Sequence, residues 1–456
     1  MPDLGAKSSI SSGGTTTAST PLLKNEGGEI QYNGGETTAR SVRKTSSLRH
    51  VVDLVIVYAS VIVDFMGYTL IAPLLSTIVG EFGSGGVSHS FAASVLMSSY
   101  GLGQFISALI MGPTSDHLGR RPVLIAAYFL TCLCYLGQAF SENYWGFAVL
   151  RFCNGMATGT RPVAFSYLGD ISSPERMPFY SMLVGVMIAF GSLMPLLGGM
   201  LGAISWRLPL LISAGLSGLL FLLSAVFLRE SLVPEDDHVK ASLSPTQPSS
   251  SVFWLTVALI ALTAACVQFD NISIITSLPW LLTSSFGIEM KTVGAILGSQ
   301  AVPTLLTNLL IFLPLSKVLP VCLLALAGMC GQATMFLLPL LKSKVAVVAV
   351  SYLLNFGNAM VYSSVPVLVK IVSPPSKRGL INGIVLSCML LAGAIGPLVA
   401  GLLWGADHRH YTTFAAVSGV AGLGAVSMLV IYLILVRRQK RASNPCDSGT
   451  AVSTLV

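Results

Sequence analysis

The stretch GPTSDHLGRRP, residues Gly112–Pro122, separates two long apolar runs of the chain. The run before it covers residues 89–111, and the run after it covers residues 122–140. A helix that crosses a lipid bilayer needs about 20 mostly apolar residues, and both runs reach about that length. The polar stretch therefore predicts a short connection between two membrane-spanning helices.

The composition of the whole chain favours the same interpretation. Of its 456 residues, 53% are hydrophobic and 10% are charged, and the mean hydropathy is +0.77. Soluble domains carry roughly 25% charged residues. This composition excludes soluble globular folds, disordered chains and small disulfide scaffolds. We predict an all-α integral membrane protein that crosses the bilayer many times.

Twelve apolar runs follow one another between two polar tails. They cover residues 51–79, 89–111, 122–140, 144–169, 179–203, 207–228, 252–282, 292–314, 318–341, 345–370, 379–403 and 411–436. We predict five parts: a disordered cytoplasmic tail (1–48), an N-terminal six-helix bundle (49–228), a cytoplasmic linker (229–251), a C-terminal six-helix bundle (252–436) and a cytoplasmic tail (437–456).

The positive charges indicate how the chain is oriented. With twelve spans, most Lys and Arg residues fall on the same side as both termini. Cytoplasmic loops carry such an excess, so we expect both termini in the cytoplasm. The net charge of +7 then reports topology and contact with the bilayer surface, and we expect no nucleic-acid partner. Both the plasma membrane and an organelle membrane fit this pattern.

An internal repeat supports the division into six and six helices. The fourth run contains RFCNGM (Arg151–Met156), and the tenth contains NFGNAM (Asn355–Met360), 204 residues later. The fifth run contains PLLGG (Pro195–Gly199), and the eleventh contains PLVAG (Pro397–Gly401). Matches in the same order at nearly the same offset predict two pseudo-symmetric six-helix bundles with a site near the midplane between them.

The stretch Gly112–Pro122 resembles the signature loop of the major facilitator superfamily, in which Gly, Asp, Gly and Arg recur at this spacing. The resemblance implies a latch that holds the two halves in the outward-open state. The corresponding residues are Gly112, Asp116, Gly119, Arg120 and Arg121, with Asp170 as the acidic partner at the end of the fourth helix. Alternatively, Arg120 and Arg121 are ordinary positive-inside anchors.

Two further motifs resemble the drug:proton antiporter branch of that superfamily, which includes tetracycline exporters. Arg151 matches an Arg implicated in proton coupling, although backbone carbonyls alone can satisfy a buried Arg. The fifth helix keeps Pro195, Gly198 and Gly199 of the antiporter motif, with Met194 in place of its first Gly. The eleventh helix has Gly396 and Pro397. Small residues at these places predict close helix packing.

Two carboxylates lie inside the apolar runs. Asp64 is in the first helix and Asp270 is in the seventh. Ionised groups are costly in lipid, so each should face a wet cavity or a cationic partner. We predict that Asp64, Arg151 and Asp270 carry proton coupling. Alternatively, each Asp caps a helix or forms an ion pair, or the two bind a cationic substrate.

Several uncharged polar residues are candidates to line a substrate cavity. The polar run around Asp270 also indicates that the seventh helix is either broken or lines a cavity. Arg161 is interpreted as an anion contact or as an anchor at the inner surface. The cavity candidates are Tyr68, Gln104, Asn154, Arg161, Gln268, Asn271, Asn358 and Tyr362.

These observations predict a monomeric secondary transporter that exports a small organic molecule by proton antiport with alternating access. Without a phosphate-binding loop or a Cys/His cluster, we expect no enzyme activity, cofactor or metal. Two alternatives stay open: an organic-anion or carboxylate carrier working by symport or facilitation, and a non-transporting sensor with a transporter fold. The C-terminal residues Thr454-Leu455-Val456 weakly resemble a PDZ-binding end.

Overall fold

A computed structural model describes residues 47–171, 177–231, 251–373, 378–404 and 410–442. Within these ranges the chain is helical and has no β-strand, which confirms the predicted fold class. The predicted N-terminal tail up to residue 46, most of the linker (232–250) and the C-terminal end from residue 443, with its PDZ-like residues, lie outside the described ranges.

The helices follow the predicted runs, and we number the spans α1 to α12. The first six are α1 (Ser47–Thr69 and Leu75–Phe82, joined by the 3₁₀ turn Ala72–Leu74), α2 (His89–Leu118), α3 (Arg120–Ala139), α4 (Tyr144–Thr158 and Arg161–Ile171), α5 (Met177–Gly191 and Met194–Gly202) and α6 (Arg207–Phe227). The last six are α7 (Ser251–Phe286), α8 (Met290–Ser299, Ala301–Leu306 and Leu313–Leu315, with the π-helix Thr307–Phe312), α9 (Val321–Gln332 and the 3₁₀ helix Ala333–Leu340), α10 (Lys344–Val372), α11 (Arg378–Trp404) and α12 (Tyr411–Ala442).

Ten stretches of the described residues are long and apolar enough to cross a membrane. The other two spans are α4 and α5, each of which is interrupted near its middle. Gly159 and Thr160 separate the two segments of α4, and Ser192 and Leu193 separate those of α5. These interruptions shorten the individual helices without removing the span.

One expectation about local structure was wrong, and one of two alternatives for another helix is excluded. The stretch Gly112–Leu118 is not a loop but the last part of α2, so that Gly119 alone separates α2 from α3. Gly119 has a φ of +98°, which favours glycine because it has no Cβ. Helix α7 is unbroken from Ser251 to Phe286, with Pro279 inside it, so its polar run does not mark a break. The alternative, that this helix lines a cavity, is not contradicted, because Asn271 lines a small one. We call the membrane side that holds Gly119 the loop end.

The two six-helix halves touch through α2 with α11 and α5 with α8. A Cβ built on Gly199 of α5 would lie 2.8 Å from the Cα of Gly294 in α8, so these backbones are in direct contact. A Cβ on Gly401 of α11 would lie 2.0 Å from Ser94 Oγ of α2. Both contacts lie near the side of the membrane opposite the loop end, where small residues permit close packing.

Candidate functional site

Asp64 is the centre of a buried charged cluster in the first half. Its side chain is 1% exposed, and Arg161 Nε lies 2.6 Å from its Oδ2 atom. Gln104 Nε2 donates a hydrogen bond of 2.5 Å to Asp64 Oδ1. Arg161 Nη2 donates in turn to Gln104 Oε1 at 3.4 Å. The carboxylate therefore has a cationic partner, as an ionised group inside a membrane requires.

This ion pair connects the two interrupted helices α1 and α4. Asp64 precedes the break of α1, whose first segment ends at Thr69. Arg161 is the first residue of the second segment of α4, directly after the break at Gly159 and Thr160. The interpretation of Arg161 as an anion contact or a surface anchor did not foresee this pair, because the two residues are 97 positions apart in the sequence.

Arg151 is fully buried, but its described contacts are backbone carbonyls and a ring. Its Nη1 donates to Gly67 O at 2.8 Å, and its Nε donates to Leu96 O at 3.3 Å. The guanidinium carbon lies 4.6 Å from the centroid of the Tyr100 ring. The geometry is that of a cation held by α1 and α2 through carbonyls and a cation–π contact. Its role in proton coupling stays a prediction.

Tyr100, which the sequence analysis missed, joins these two arginine clusters. Its hydroxyl donates to Asp64 O at 2.9 Å and accepts a hydrogen bond from Thr158 Oγ1 at 2.7 Å. Tyr100 and Gln104 are four residues apart in α2, so both project from one helix face. That spacing was the available signal for Tyr100 once Gln104 had been singled out.

Two other cavity candidates of the first half are packed against helices. The ring of Tyr68 makes an edge contact with Tyr100, with 4.8 Å between centroids. Its hydroxyl lies 2.2 Å from the place where Gly101 would carry a Cβ. The structure buries Asn154 completely, at 0% exposure. Tyr68, at 5%, is buried as well. Neither is open to solvent in this conformation.

The second half has an uncharged polar cluster. Tyr362 of α10 donates a very short hydrogen bond to Gln268 Oε1 of α7. Asn358 Nδ2 donates to Asn271 Oδ1 at 2.9 Å. A small cavity beside these amides is lined by Asn271, Ile274, Gln332, Met335, Leu354, Asn355 and Asn358. Gln332 and Asn355 were missed because they lie in otherwise apolar runs.

Asp270 does not belong to that cluster. It is fully buried, and neither of its carboxylate oxygens has a hydrogen-bond partner among the described residues. The sequence analysis expected a wet cavity or a cationic partner for Asp270, and the described residues provide neither. The reason is its position on α7, two residues beyond Gln268 and therefore on nearly the opposite face of the helix.

The residues expected to form a latch lie together at the loop end. Arg120 Nη1 lies 2.5 Å from Asp116 Oδ1, and Arg120 Nε lies 3.4 Å from Asp170 Oδ2. Arg121 Nη2 donates to Ala225 O of α6 at 2.8 Å. A Cβ built on Gly112 would meet no described atom within 4 Å. The charges therefore connect α2, α3 and α4 of the first half in this structure.

Glu230, just beyond α6, completes this cluster and was missed. Its carboxylate accepts from the backbone N–H of Arg120 at 2.8 Å and from that of Arg121 at 3.1 Å. These are the first amides of α3, so the carboxylate caps a helix N-terminus. A Cβ on Gly119 would lie 2.6 Å from Glu230 Oε2, which adds a second reason for glycine there.

A family model for the Major Facilitator Superfamily matches residues 57–269 and, a second time, residues 260–452. The chain belongs to the major facilitator superfamily. The two successive matches agree with the internal repeat. Members of this superfamily are transporters, so the chain is a multi-pass membrane transporter of small molecules and not an enzyme.

The relatives point to one branch of the superfamily. The tetracycline resistance protein, class E, of Escherichia coli is 27% identical over 385 residues, which are 81% of this chain and 92% of that protein. Two solved structures share the fold. The human organic anion transporter MFSD10 (TETRAN) has a TM-score of 0.64 at 19% identity and covers 83% of this chain and 99% of its own. A D-xylose-proton symporter has a TM-score of 0.69 at 15% identity and covers 84% and 97%.

The glycines of the superfamily's antiporter motif make close helix contacts here. A Cβ on Gly198 would lie 2.1 Å from Leu70 O, at the break of α1. A Cβ on Gly396 would lie 2.8 Å from Phe269 O of α7. Pro195 opens the second segment of α5, and Pro397 lies within α11. Gly198 and Gly396 therefore lie at close contacts between helices, and the part of all these residues in antiport stays a prediction.

Proposed function

We propose that this transporter exports a small organic molecule in exchange for protons by alternating access. The single observation that carries the proposal is the buried pair of Asp64 and Arg161 with its Gln104 contact. The similarity to tetracycline resistance proteins supports the same class of cargo and direction. We propose that Asp64 accepts the proton, that Arg151 holds the surrounding helices in place, and that both termini lie in the cytoplasm.

Protonation of Asp64 would remove the negative partner of Arg161. An unpaired guanidinium in the membrane interior costs several kcal/mol, so the protein must rearrange to provide water or another acceptor. The pair spans the breaks of α1 and α4, so such a rearrangement moves segments of both helices. A substrate that uses the carboxylate as an acceptor competes with the proton, and this competition is what exchange requires.

The substrate would contact polar groups of both halves. The charged cluster belongs to the first half and the amide cluster to the second half, and we propose that both face one central cavity. We propose that Gln268, Asn271, Asn358 and Tyr362 provide hydrogen bonds that orient the cargo. Orientation of the cargo by these few side chains agrees with the rule that a small number of polar groups in a largely apolar site determine specificity.

We propose that Asp116, Arg120 and Asp170 act as the latch, with residues 49–228 and 252–436 as the moving halves. The halves already touch at the side opposite the loop end, through Gly199 with Gly294 and Ser94 with Gly401. At the loop end itself, a Cβ built on Gly112 would meet no described atom within 4 Å. This arrangement fits a conformation in which the latch between halves is open and the cavity faces the loop end.

The test is flux in proteoliposomes under an imposed pH gradient, with a tetracycline as the probe. Asp64→Asn is expected to abolish gradient-driven flux and to keep slow exchange of probe without a gradient. Glu142→Gln, at an exposed carboxylate, is the matched control and should behave as the wild type. Unchanged gradient-driven flux in Asp64→Asn would overturn the assignment of Asp64.

One observation favours a second function, carriage of an organic anion. Arg161 is the more exposed member of the pair, at 17% against 1% for Asp64. An anion that binds Arg161 fits best when Asp64 is protonated, so proton and anion would move together. Symport is the opposite coupling to antiport. Flux of an aromatic carboxylate that accelerates when the pH is low on the side of the carboxylate would support this function instead.

A further inference from the structure

One face of α7 carries small polar residues that the proposed transport cycle does not use. They recur at intervals of three and four residues, which places them on one stripe of a helix. The stripe consists of Thr263, Cys266, Asp270, Ser273 and Ser277. All five are buried. This stripe is not the cavity face, because Gln268 and Asn271, which bond to α10, project elsewhere.

The first part of the stripe packs against α12. Thr263 and Ser427 share a short hydrogen bond, and a Cβ on Gly424 would lie 3.1 Å from Cys266 Cβ. The two helices run antiparallel, so residue numbers rise along α7 while they fall along α12. Further along the stripe α11 approaches, since a Cβ on Gly396 would lie 2.7 Å from Ser273 Oγ. Asp270 lies between Cys266 and Ser273 on the stripe. Asp270 therefore faces the interior of the second half.

The internal repeat gives the same placement independently. Met66 of α1 precedes Asp270 by the repeat offset, and it is buried in the core of the first half. Its sulfur lies 3.8 Å from Ser213 Oγ of α6, which is the counterpart of α12. A carboxyl group thus occupies in one half the position that an apolar side chain occupies in the other.

The surroundings of Asp270 offer no counter-charge among the described residues. On its own helix the nearest titratable group is Cys266, and on α10 it is Tyr362. The stretch Val417–Gly424 of α12 has no titratable side chain. Helix α9 brings Met329, whose methyl group lies 2.2 Å from the place of a Cβ on Gly424. The only titratable residues of α9 and of the described core of α11 are cysteines. A permanently ionised carboxylate there would cost several kcal/mol.

We infer that Asp270 is a second proton-binding site, located inside the second half and outside the central cavity. Ser273 and Ser277 of the same stripe lead from it towards the side opposite the loop end, and their hydroxyls are buried without described partners. A hydronium ion at that side releases a proton and becomes water. The proton then forms an O–H bond with the Asp270 carboxylate. On release the O–H bond breaks and water takes the proton back.

The test is infrared spectroscopy of the full chain in phosphatidylcholine vesicles during pH jumps, without substrate. The wild type is expected to show a carboxyl C=O band that changes with pH and is lost in Asp270→Asn but kept in Asp64→Asn. Asp270→Met, which installs the residue of the other half, should lose the same band and remain folded, so a folding defect of Asp270→Asn does not decide the outcome. A pH-dependent spectrum that is identical in wild type and both Asp270 variants would overturn the inference.

The path has its own measurement. Ser273→Ala combined with Ser277→Ala is expected to slow the appearance of the Asp270 band after a pH jump and to leave its final amplitude unchanged. An unchanged rate would overturn the path through these hydroxyls. The inference does not rest on the proposed function, because the spectra need no transport. Failure of antiport would appear in the flux of Asp64→Asn, with the Asp270 band intact.

Discussion

The two halves share a helix plan and a sequence repeat, but they differ in charge at the positions that correspond. At the repeat offset of 204 residues, Asp64 in α1 corresponds to Gln268 in α7, and Arg151 in α4 corresponds to Asn355 in α10. The first half therefore holds ions where the second half holds amides. Since each ion in the membrane interior needs a partner, the first half contains an ion pair and carbonyl contacts.

One fold can therefore separate two tasks. Groups that change charge need a network that can respond, such as the Asp64 and Arg161 pair across two broken helices. Amides keep the same charge over the whole pH range, so the cluster around Gln268 and Asn271 is suited to steady hydrogen bonding. Asp270 reverses the pattern, because here the second half has a carboxyl group and the first half has Met66.

The largest expected effect comes from making the first half resemble the second. Asp64→Asn leaves Arg161 without its negative partner, and we expect a loss of unfolding free energy of about 3–5 kcal/mol. Thermal unfolding in detergent micelles measures it. Adding Arg161→Gln removes the unpaired charge and should recover most of the stability, while gradient-driven transport stays lost. A double variant as unstable as the single one would contradict the pairing.

The next effect concerns the other corresponding pair. Arg151→Met removes the donors to Gly67 O and Leu96 O, and leaving these carbonyls unpaired is expected to cost about 3 kcal/mol in unfolding free energy. Asn355→Ala is the control in the second half, since Asn355 donates to Ser351 O within its own helix. It should cost about 1 kcal/mol or less. Equal losses of unfolding free energy in the two variants would show that the charge of Arg151 does not contribute to stability.

A smaller effect is expected where the halves touch. Gly199→Val places a side chain against Gly294 of α8, and overpacking of this kind costs about 1–3 kcal/mol. The conformation closed at that side should lose population, which labelling of a cysteine introduced beside the contact detects. Gly215→Val is the matched control, because a Cβ there meets no described atom within 4 Å. Labelling that rises equally in both variants would argue against a specific contact.

The smallest effect should come from the helix cap at the loop end. Glu230→Gln weakens the contact with the backbone N–H groups of Arg120 and Arg121, with an expected loss of about 1 kcal/mol in unfolding free energy. Because the cap holds α3 beside the latch of Asp116, Arg120 and Asp170, the rate at which this latch opens should also rise modestly. Glu142→Gln again provides the control. Wild-type stability together with wild-type kinetics would leave the cap without a role in the latch.

Much of the fold and part of the site could be predicted from local patterns. Apolar runs predicted the helices, and the repeat predicted two halves. The spacing of Asp116 and Arg120 anticipated a cluster that also contains Asp170. The partner of Asp64 could not be predicted, because Arg161 lies on another helix. The orientation of Asp270 was not predicted either, since a single carboxylate in an apolar run does not reveal which neighbour its face meets. Glu230 was missed because its role depends on a turn 110 residues earlier.

The apolar pattern alone predicted the class, the number of spans and the few polar residues within them. It did so because a bilayer accepts only long apolar segments, and each polar residue within such a segment can be read directly from the sequence. The packing of the helices was needed to establish that Asp64 pairs with Arg161, that Arg151 binds carbonyls and that Asp270 lies on a different face of α7 from Gln268. These facts depend on the rotation and contact of separate helices, and the periodicity of one helix does not specify its neighbours.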